Sequence, residues 1–228
     1  GATYYHDIRQ LGKSENAFLD DNILSTMLRR SPNYKLTLVD QYTMYFEREW
    51  FQGFSNTVTF RQQTVYPSDS VPFIISDQTG DTRSLNKLQS TEITLSTHFA
   101  YREKFLLGNF DHISIGSVYP AIDLDLTYGP KGVFNSQYEY FKVKLQISDK
   151  VETNPLGYLR YRITGGKIFG SLPYPLLKLH EGNETYAYDP YAFNMMNYYE
   201  FVSDEYLIFF AEQHFQGFFL NRIPLLRR

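Results

Sequence analysis

Long runs that alternate apolar and polar residues constrain this chain more than any other feature. Between Tyr34 and Phe46, one set of positions reads Tyr34, Leu36, Leu38, Asp40, Tyr42, Met44, Phe46, and the intervening set reads Lys35, Thr37, Val39, Gln41, Thr43, Tyr45. Successive side chains of a β-strand point to opposite faces, so such a segment has one greasy side and one wet side. The pattern returns at Ile93, Leu95, Phe99 and Tyr101 against Glu92, Thr94, Ser96 and His98. It returns again at Ile122, Leu124 and Leu126 against Asp123 and Asp125, and at Phe141, Val143, Leu145 and Ile147 against Lys142, Lys144 and Gln146. Leu159, Tyr161 and Ile163 likewise oppose Arg160 and Arg162. Runs of about 10 residues exceed the ~5–6 usual in soluble sheets and suit a tilted strand that crosses a bilayer.

Composition agrees. Aromatic residues make up 18% of the 228, with 20 Tyr and 19 Phe against one Trp. Such residues form strands and also gather at membrane interfaces. Mean hydropathy is -0.39, and no run approaches the roughly 18 apolar residues of a transmembrane helix. Barrel strands alternate and are hydrophilic on average, so these values leave a membrane barrel open. A net charge of -3 offers no footprint for nucleic acid. The absence of cysteine excludes a disulfide scaffold and a thiolate metal site.

The connections alternate in length. Short ones are expected near 51–55, 106–110, 149–156 and 214–218, and longer ones near 9–33, 66–89, 127–136 and 169–199. Outer-membrane barrels sort their loops this way, with short periplasmic turns and long extracellular loops. A weak repeat of Glu, aromatic and Gly marks the short turns at Glu49–Phe54, Glu103–Phe110 and Glu212–Phe218, where glycine supplies positive φ and the aromatics suit a headgroup girdle. One segment reads as a short loop helix: Phe18, Leu19, Ile23, Leu24, Met27 and Leu28 share a face, and Ser31-Pro32 stops it. Pro67, Pro72 and the polar stretch from Ser76 to Ser90 read as an exposed loop.

No constellation of catalytic, cofactor-binding or metal-ligating residues emerges, and the chain is not expected to be an enzyme. The histidines His6, His98, His112, His180 and His214 lack metal-ligand spacing and read as isolated polar residues. Asp123 and Asp125 pair two carboxylates on one face, as glycoside chemistry requires. With Lys142, Lys144, Arg160 and Arg162 they read more simply as charges facing a water-filled lumen. Gly165–Ser171 is glycine-rich without a phosphate-loop order and reads as a strand passing close to another backbone. Asn183-Glu184-Thr185 is a formal glycosylation sequon. The stretch 169–199 is long, irregular and rich in Tyr, Met and Phe, so it reads either as an exposed binding loop or as an internal plug.

That same stretch carries a family likeness. Gly166–Gly170, Leu172–Leu177, Gly182-Asn183-Glu184, Asn194–Asp204 and Phe215–Leu226 resemble a large group of Bacteroidota-type outer-membrane proteins of unknown function. Those proteins join a periplasmic carboxypeptidase-regulatory-like domain to a barrel that is similar to the outer-membrane assembly and two-partner-secretion superfamily. The resemblance implies a barrel of about sixteen strands, within the usual range, and an inward-folding loop at 169–199. The superfamily loop carries Arg-Gly-aromatic, whereas here Gly182-Asn183-Glu184 stands in its place.

The expected fold is therefore all-β, an antiparallel transmembrane β-barrel over residues 1–228. About nine strands are legible, so further strands and the periplasmic domain are expected outside this stretch. The expected setting is the bacterial outer membrane, with the lipid bilayer and other envelope proteins as partners, no nucleic acid and no cofactor. The expected role is insertion, export or biogenesis of envelope components, by a seam that opens laterally. A passive porin or surface ligand-binding barrel is the second reading, and a soluble all-β binding module the third. The candidate lid residues are Pro173, Pro175, Gly182, Asn183, Glu184, Asn194 and Asn197; the candidate lumen charges are Asp123, Asp125, Lys142, Lys144, Arg160 and Arg162.

Overall fold

The computed structural model describes residues 1–14, 27–30, 35–76, 82–107, 112–219 and 222. The helix expected between Phe18 and Leu28 lies almost wholly outside the described residues, as does the end from Ile223 to Arg228. The fold is an antiparallel sheet of eight long strands. In chain order the strands are β1 (Ala2–Gln10), β2 (Leu36–Phe51), β3 (Phe54–Tyr66), β4 (Phe73–Ser76), β5 (Thr82–Leu85), β6 (Leu88–Ala100), β7 (Lys104–Leu107), β8 (His112–Gly116), β9 (Ala121–Gly129), β10 (Tyr140–Glu152), β11 (Tyr158–Phe169), β12 (Lys178–Leu179), β13 (Val202–Ser203) and β14 (Glu205–His214). The large sheet runs β1-β2-β3-β6-β9-β10-β11-β14, and β4-β5, β7-β8 and β12-β13 are separate two-stranded pairs set into its loops. Eight sheet strands stand where about nine were expected, and among the described residues the sheet does not close on itself.

Cross-strand register shows how the alternation is used. One face carries a continuous apolar band. A row of Met44, Phe60, Ile93, Tyr128, Phe141 and Phe169 marks it toward the long loops, and Phe54, Phe99, Ile122, Ile147, Ile163 and Phe209 mark it toward the short turns. Val58, Leu95, Leu126, Val143, Leu124, Leu145 and Leu207 fill the space between. These side chains are not tucked away: Leu207 is 78% exposed, Phe46 68% and Phe209 61%. The polar exceptions satisfy one another, with Asn56 donating to Thr97 at 2.8 Å and Lys167 pairing with Glu205 at 2.9 Å.

The opposite face is polar. Arg61, Glu92, Thr94, His98, Asp123, Asp125, Lys142, Lys144, Gln146, Arg160, Arg162 and Glu212 all lie on it. The buried core sits on this face at one end, where Val39, Val65, Leu88 and Tyr140 meet Val71 and Phe73 from the loop after β3 and Leu176 from the loop after β11. The loops thus fold inward over the polar face and leave the apolar one bare.

Connection lengths follow the expectation at one end and depart from it at the other. The links after β1, β3, β9 and β11 are long and share an end; those after β2 and β10 are tight. Between β6 and β9, where a tight turn near 106–110 is expected, the chain instead projects the β7-β8 hairpin, so that link is long. The stretch from Ser76 to Ser90 is not simply an exposed loop, because it contains β5 and ends in Leu88 and Ser90, both buried. Past the end of β6, Arg102 turns the chain at a positive φ of 55°.

Candidate functional site

Residues 170–204, between β11 and β14, form the most highly organised irregular segment. The β12-β13 pairing draws its two ends together, with Lys178 opposite Ser203 and Leu179 opposite Val202. Pro173 and Pro175 flank and enter a 3-10 turn (Tyr174–Leu176) that plants Leu176 in the core. Proline fixes φ near the value such a turn needs, so the turn is preset in the sequence. Tyr174 donates to the Pro72 carbonyl at 3.1 Å and meets the rings of Phe73 and Tyr199 edge-on. Burial pushes the Tyr174 and Tyr199 phenols above their ordinary pKa.

Asn183 is the knot of the loop. It is 1% exposed. Its Nδ2 donates to the Ala187 carbonyl and to Asn194 Oδ1, both at 2.7 Å, and its Oδ1 accepts from the Thr185 amide and hydroxyl. Both donors and both lone pairs of the amide are thereby used, as burial demands. The sequon at this position is accordingly packed inside the loop. Asn194 closes the same ring by donating to the Asp189 carbonyl at 2.8 Å and accepting from the Asp189 amide. Gly182 is there for space: a Cβ would lie 2.7 Å from the Asn197 carbonyl group and 2.9 Å from the Met196 oxygen. The Asn197 amide donates to Glu200 Oε2 at 2.8 Å.

The loop fastens to both flanks of the sheet. On the β2 side, Lys35 Nζ donates to Glu184 Oε1 at 3.0 Å and to the Tyr198 carbonyl at 2.9 Å. Arg30 donates through its amide to the Glu184 carbonyl and through its guanidinium to the Asn183 carbonyl. Ser14 donates to the buried carboxylate of Asp189. On the other side, Phe193 packs on Phe210 of β14, His180 meets Tyr206 edge-on, and the Arg162 guanidinium lies 4.3 Å over the Tyr191 ring. Burial, and then the nearby Lys178 charge, holds His180 below its ordinary pKa.

Beneath and beside this loop, toward the short-turn end, the polar face holds an open cavity of about 940 Å³. The expected lumen charges divide here. Lys142 binds Glu92 at 3.0 Å, Lys144 binds Asp125 at 3.2 Å, and Asp123 lies 2.5 Å from His98. Arg160, Arg162 and Asp123 line the cavity, whereas Lys142, Lys144 and Asp125 lie outside it. None of the four histidines with described side chains is isolated. His98 sits between Asp123 and Glu103, His6 pairs with Asp40, and His214 stacks on Tyr158. Among the described residues no group of three or more His, Cys, Asp or Glu could hold a metal ion.

Sequence reasoning missed Asp189, Lys35 and Glu103. The signal for Asp189 was its place before Pro190 in a turn, where an aspartate caps the backbone two residues on; it does so to Tyr191 at 2.8 Å. Lys35 reaches Glu184, 149 residues away, which no local pattern reports, and Glu103 meets His98 only through the turn that follows β6. The close backbone approach expected in Gly165–Ser171 occurs at Gly170, where a Cβ would lie 2.8 Å from the Glu139 carbonyl oxygen, whereas at Gly166 the close neighbour is the Tyr206 ring lying over it.

The C-terminal domain of a family of unknown function (DUF5686) matches residues 9–228. The chain belongs to that family. Both the apolar band and the knotted loop therefore fall inside the DUF5686 C-terminal domain. Comparison with curated proteins and with solved structures returns no match.

Proposed function

We propose that this domain is an outer-membrane β-barrel segment, with its apolar face against lipid and its polar face around a wet interior. The carrying observation is the bare apolar band set opposite a face of ion pairs. On a water-soluble sheet, so large a contiguous apolar surface would drive association. On a bilayer it is the required surface. Along β10 the apolar side runs through Phe141, Val143, Leu145 and Ile147 and, past Asp149, to Val151, about 33 Å at ~3.3 Å per residue. At a tilt of ~40° this span is about 25 Å high, comparable to an outer-membrane apolar band, with the Asp149 carboxylate near its short-turn edge. Trp50, Phe51, Tyr101, Tyr119 and Phe219 are exposed around the short-turn end and suit a headgroup girdle. No helix of the described residues is long and apolar enough to cross a membrane.

In this reading the short turns face the periplasm and the long loops face outward. The domain acts without a cofactor in the insertion, export or biogenesis of envelope components, with other envelope proteins as partners. The sheet opens laterally at a seam while the 170–204 loop, tied to both flanks, holds the interior together. Trp50, the single tryptophan, supplies the test. Lipids brominated near the headgroup should strongly quench the part of the fluorescence that a Trp50→Phe variant lacks in the reconstituted full-length protein, and lipids brominated at the chain end weakly. Absence of quenching, or release of the protein into buffer without detergent, overturns the membrane assignment. The cavity favours a second reading, a surface ligand-binding barrel. Steady size-selective conductance in planar bilayers would instead favour a porin, since a loop-plugged interior stays mostly silent.

A further inference from the structure

Charge in the polar-face cavity is unevenly committed. Most carboxylates lining it have a partner: Asp123 and Glu103 bracket His98, Glu152 binds Lys150 at 3.0 Å and Asp149 accepts from the Lys150 amide at 2.7 Å, while Glu212, opposite Arg160 in the β11–β14 register, lies 3.2 Å from a His214 nitrogen that makes no hydrogen bond. Arg160 and Arg162 line the same cavity and contact only aromatic rings, Tyr158 and Tyr191 respectively. The Nε–H of Arg162 is buried without an acceptor. A buried donor left unmet is costly and marks a place where an acceptor is missing.

We propose that Arg160 and Arg162 form a subsite for a phosphate monoester borne by a ligand lying in this cavity. The two residues are two apart on one face of β11, so their Cα atoms are roughly 6.6 Å apart. A carboxylate fills a single guanidinium fork, whereas a tetrahedral phosphate has oxygens enough to accept from two. Stacking on Tyr191 fixes the plane of the Arg162 fork, so little side-chain freedom is lost on binding. Tyr188, 63% exposed at the cavity wall, offers a ring face to the rest of the ligand. Phosphate binding requires the cavity and not a bilayer, so its failure and that of the membrane reading are separable.

The test is calorimetric titration of the detergent-purified full-length protein with inorganic phosphate, glycerol 3-phosphate and dihexanoyl phosphatidic acid. Saturable phosphate binding is expected, weakened about tenfold or more by the R160Q/R162Q double variant and less by R162K, which keeps charge without the fork. The K104Q variant, which removes an exposed cation at the cavity rim, should change affinity less than about threefold. Tighter binding of phosphatidic acid than of glycerol 3-phosphate assigns the phosphate to a lipid headgroup; equal binding assigns it to a soluble ligand. No saturable phosphate binding, or equal binding by R160Q/R162Q with unchanged circular dichroism, overturns the subsite.

Discussion

At the long-loop end of the polar face, Glu92 is held by Tyr140, itself part of the buried core, at 2.8 Å, by Lys142 at 3.0 Å and by Arg61 at 3.5 Å. At the short-turn end of the same face, Glu212 lies partly exposed beside His214 at the wall of an open cavity. Both glutamates sit on strands at polar-face positions. The difference is made by the loops, which turn inward over one end and leave the other to solvent. Strand alternation decides which face is polar; loop sequence decides which part of that face is dry.

The largest expected contrast comes from removing each glutamate in turn. Glu92→Ala removes a buried carboxylate that accepts from Tyr140 and Lys142 and whose cationic partners keep access to solvent, and should lower unfolding stability by about 1–3 kcal/mol. Glu212→Ala should cost under about 1 kcal/mol, because its pair is solvated. Urea unfolding of the full-length protein in lipid vesicles measures both, and equal losses would erase the distinction between the ends. Next is Asn183→Ala, which strips the loop of its knot and strands several buried partners at about 2–3 kcal/mol. Limited proteolysis should then cut within 170–204 much faster while the strands stay resistant. Unchanged cleavage would mean that the loop is held elsewhere.

Gly182→Ala should loosen the loop by about 1–2 kcal/mol, since the added methyl presses on the backbone of Met196 and Asn197. Gly165→Ala, whose nearest neighbour would lie at 3.7 Å, is the matched control on the sheet and should be close to neutral. Hydrogen exchange at the Asn183 amide separates them. The smallest effect concerns pH. His180 has a lowered pKa when packed, so the detached loop binds a proton first. Packing is unpenalised above the free value near ~6.5 and weakens as pH falls below it. Protease sensitivity of the loop should rise modestly from pH 7 to pH 5, and H180Q should abolish that rise.

Much of the sheet was legible because a period of two is a local signal. The alternations at Tyr34–Phe46, Ile93–Tyr101, Ile122–Leu126, Phe141–Ile147 and Leu159–Ile163 fall on β2, β6, β9, β10 and β11 respectively, except that Tyr101 lies one residue past the end of β6 and Tyr34 outside the described residues. The β7-β8 hairpin escaped because the Glu-aromatic-Gly pattern at 103–110 mimics the true turn at Gly53, where φ is 82°. Within the loop, the residues that carried the family likeness proved to include the buried Asn183 and Glu184. Their partners Arg30 and Lys35, like Ser14, which donates to Asp189, lie more than a hundred residues away and could not be read locally. The pairing of His98 with Asp123 depends on the β6-β9 register, which no single strand encodes.

Two tyrosines on the polar face lie down instead of standing up. Tyr140 covers Gly129 and Tyr206 covers Gly166, each ring occupying the space that a neighbour's Cβ would take. A lysine then sits over each ring, Lys142 at 4.9 Å and Lys178 at 5.7 Å. Glycine therefore works here as clearance: it lets a bulky residue lie flat on the sheet like a tile rather than stand out from it. Broadening either glycine would tilt its tile upright, and the free space over the polar face would shrink without any strand having moved.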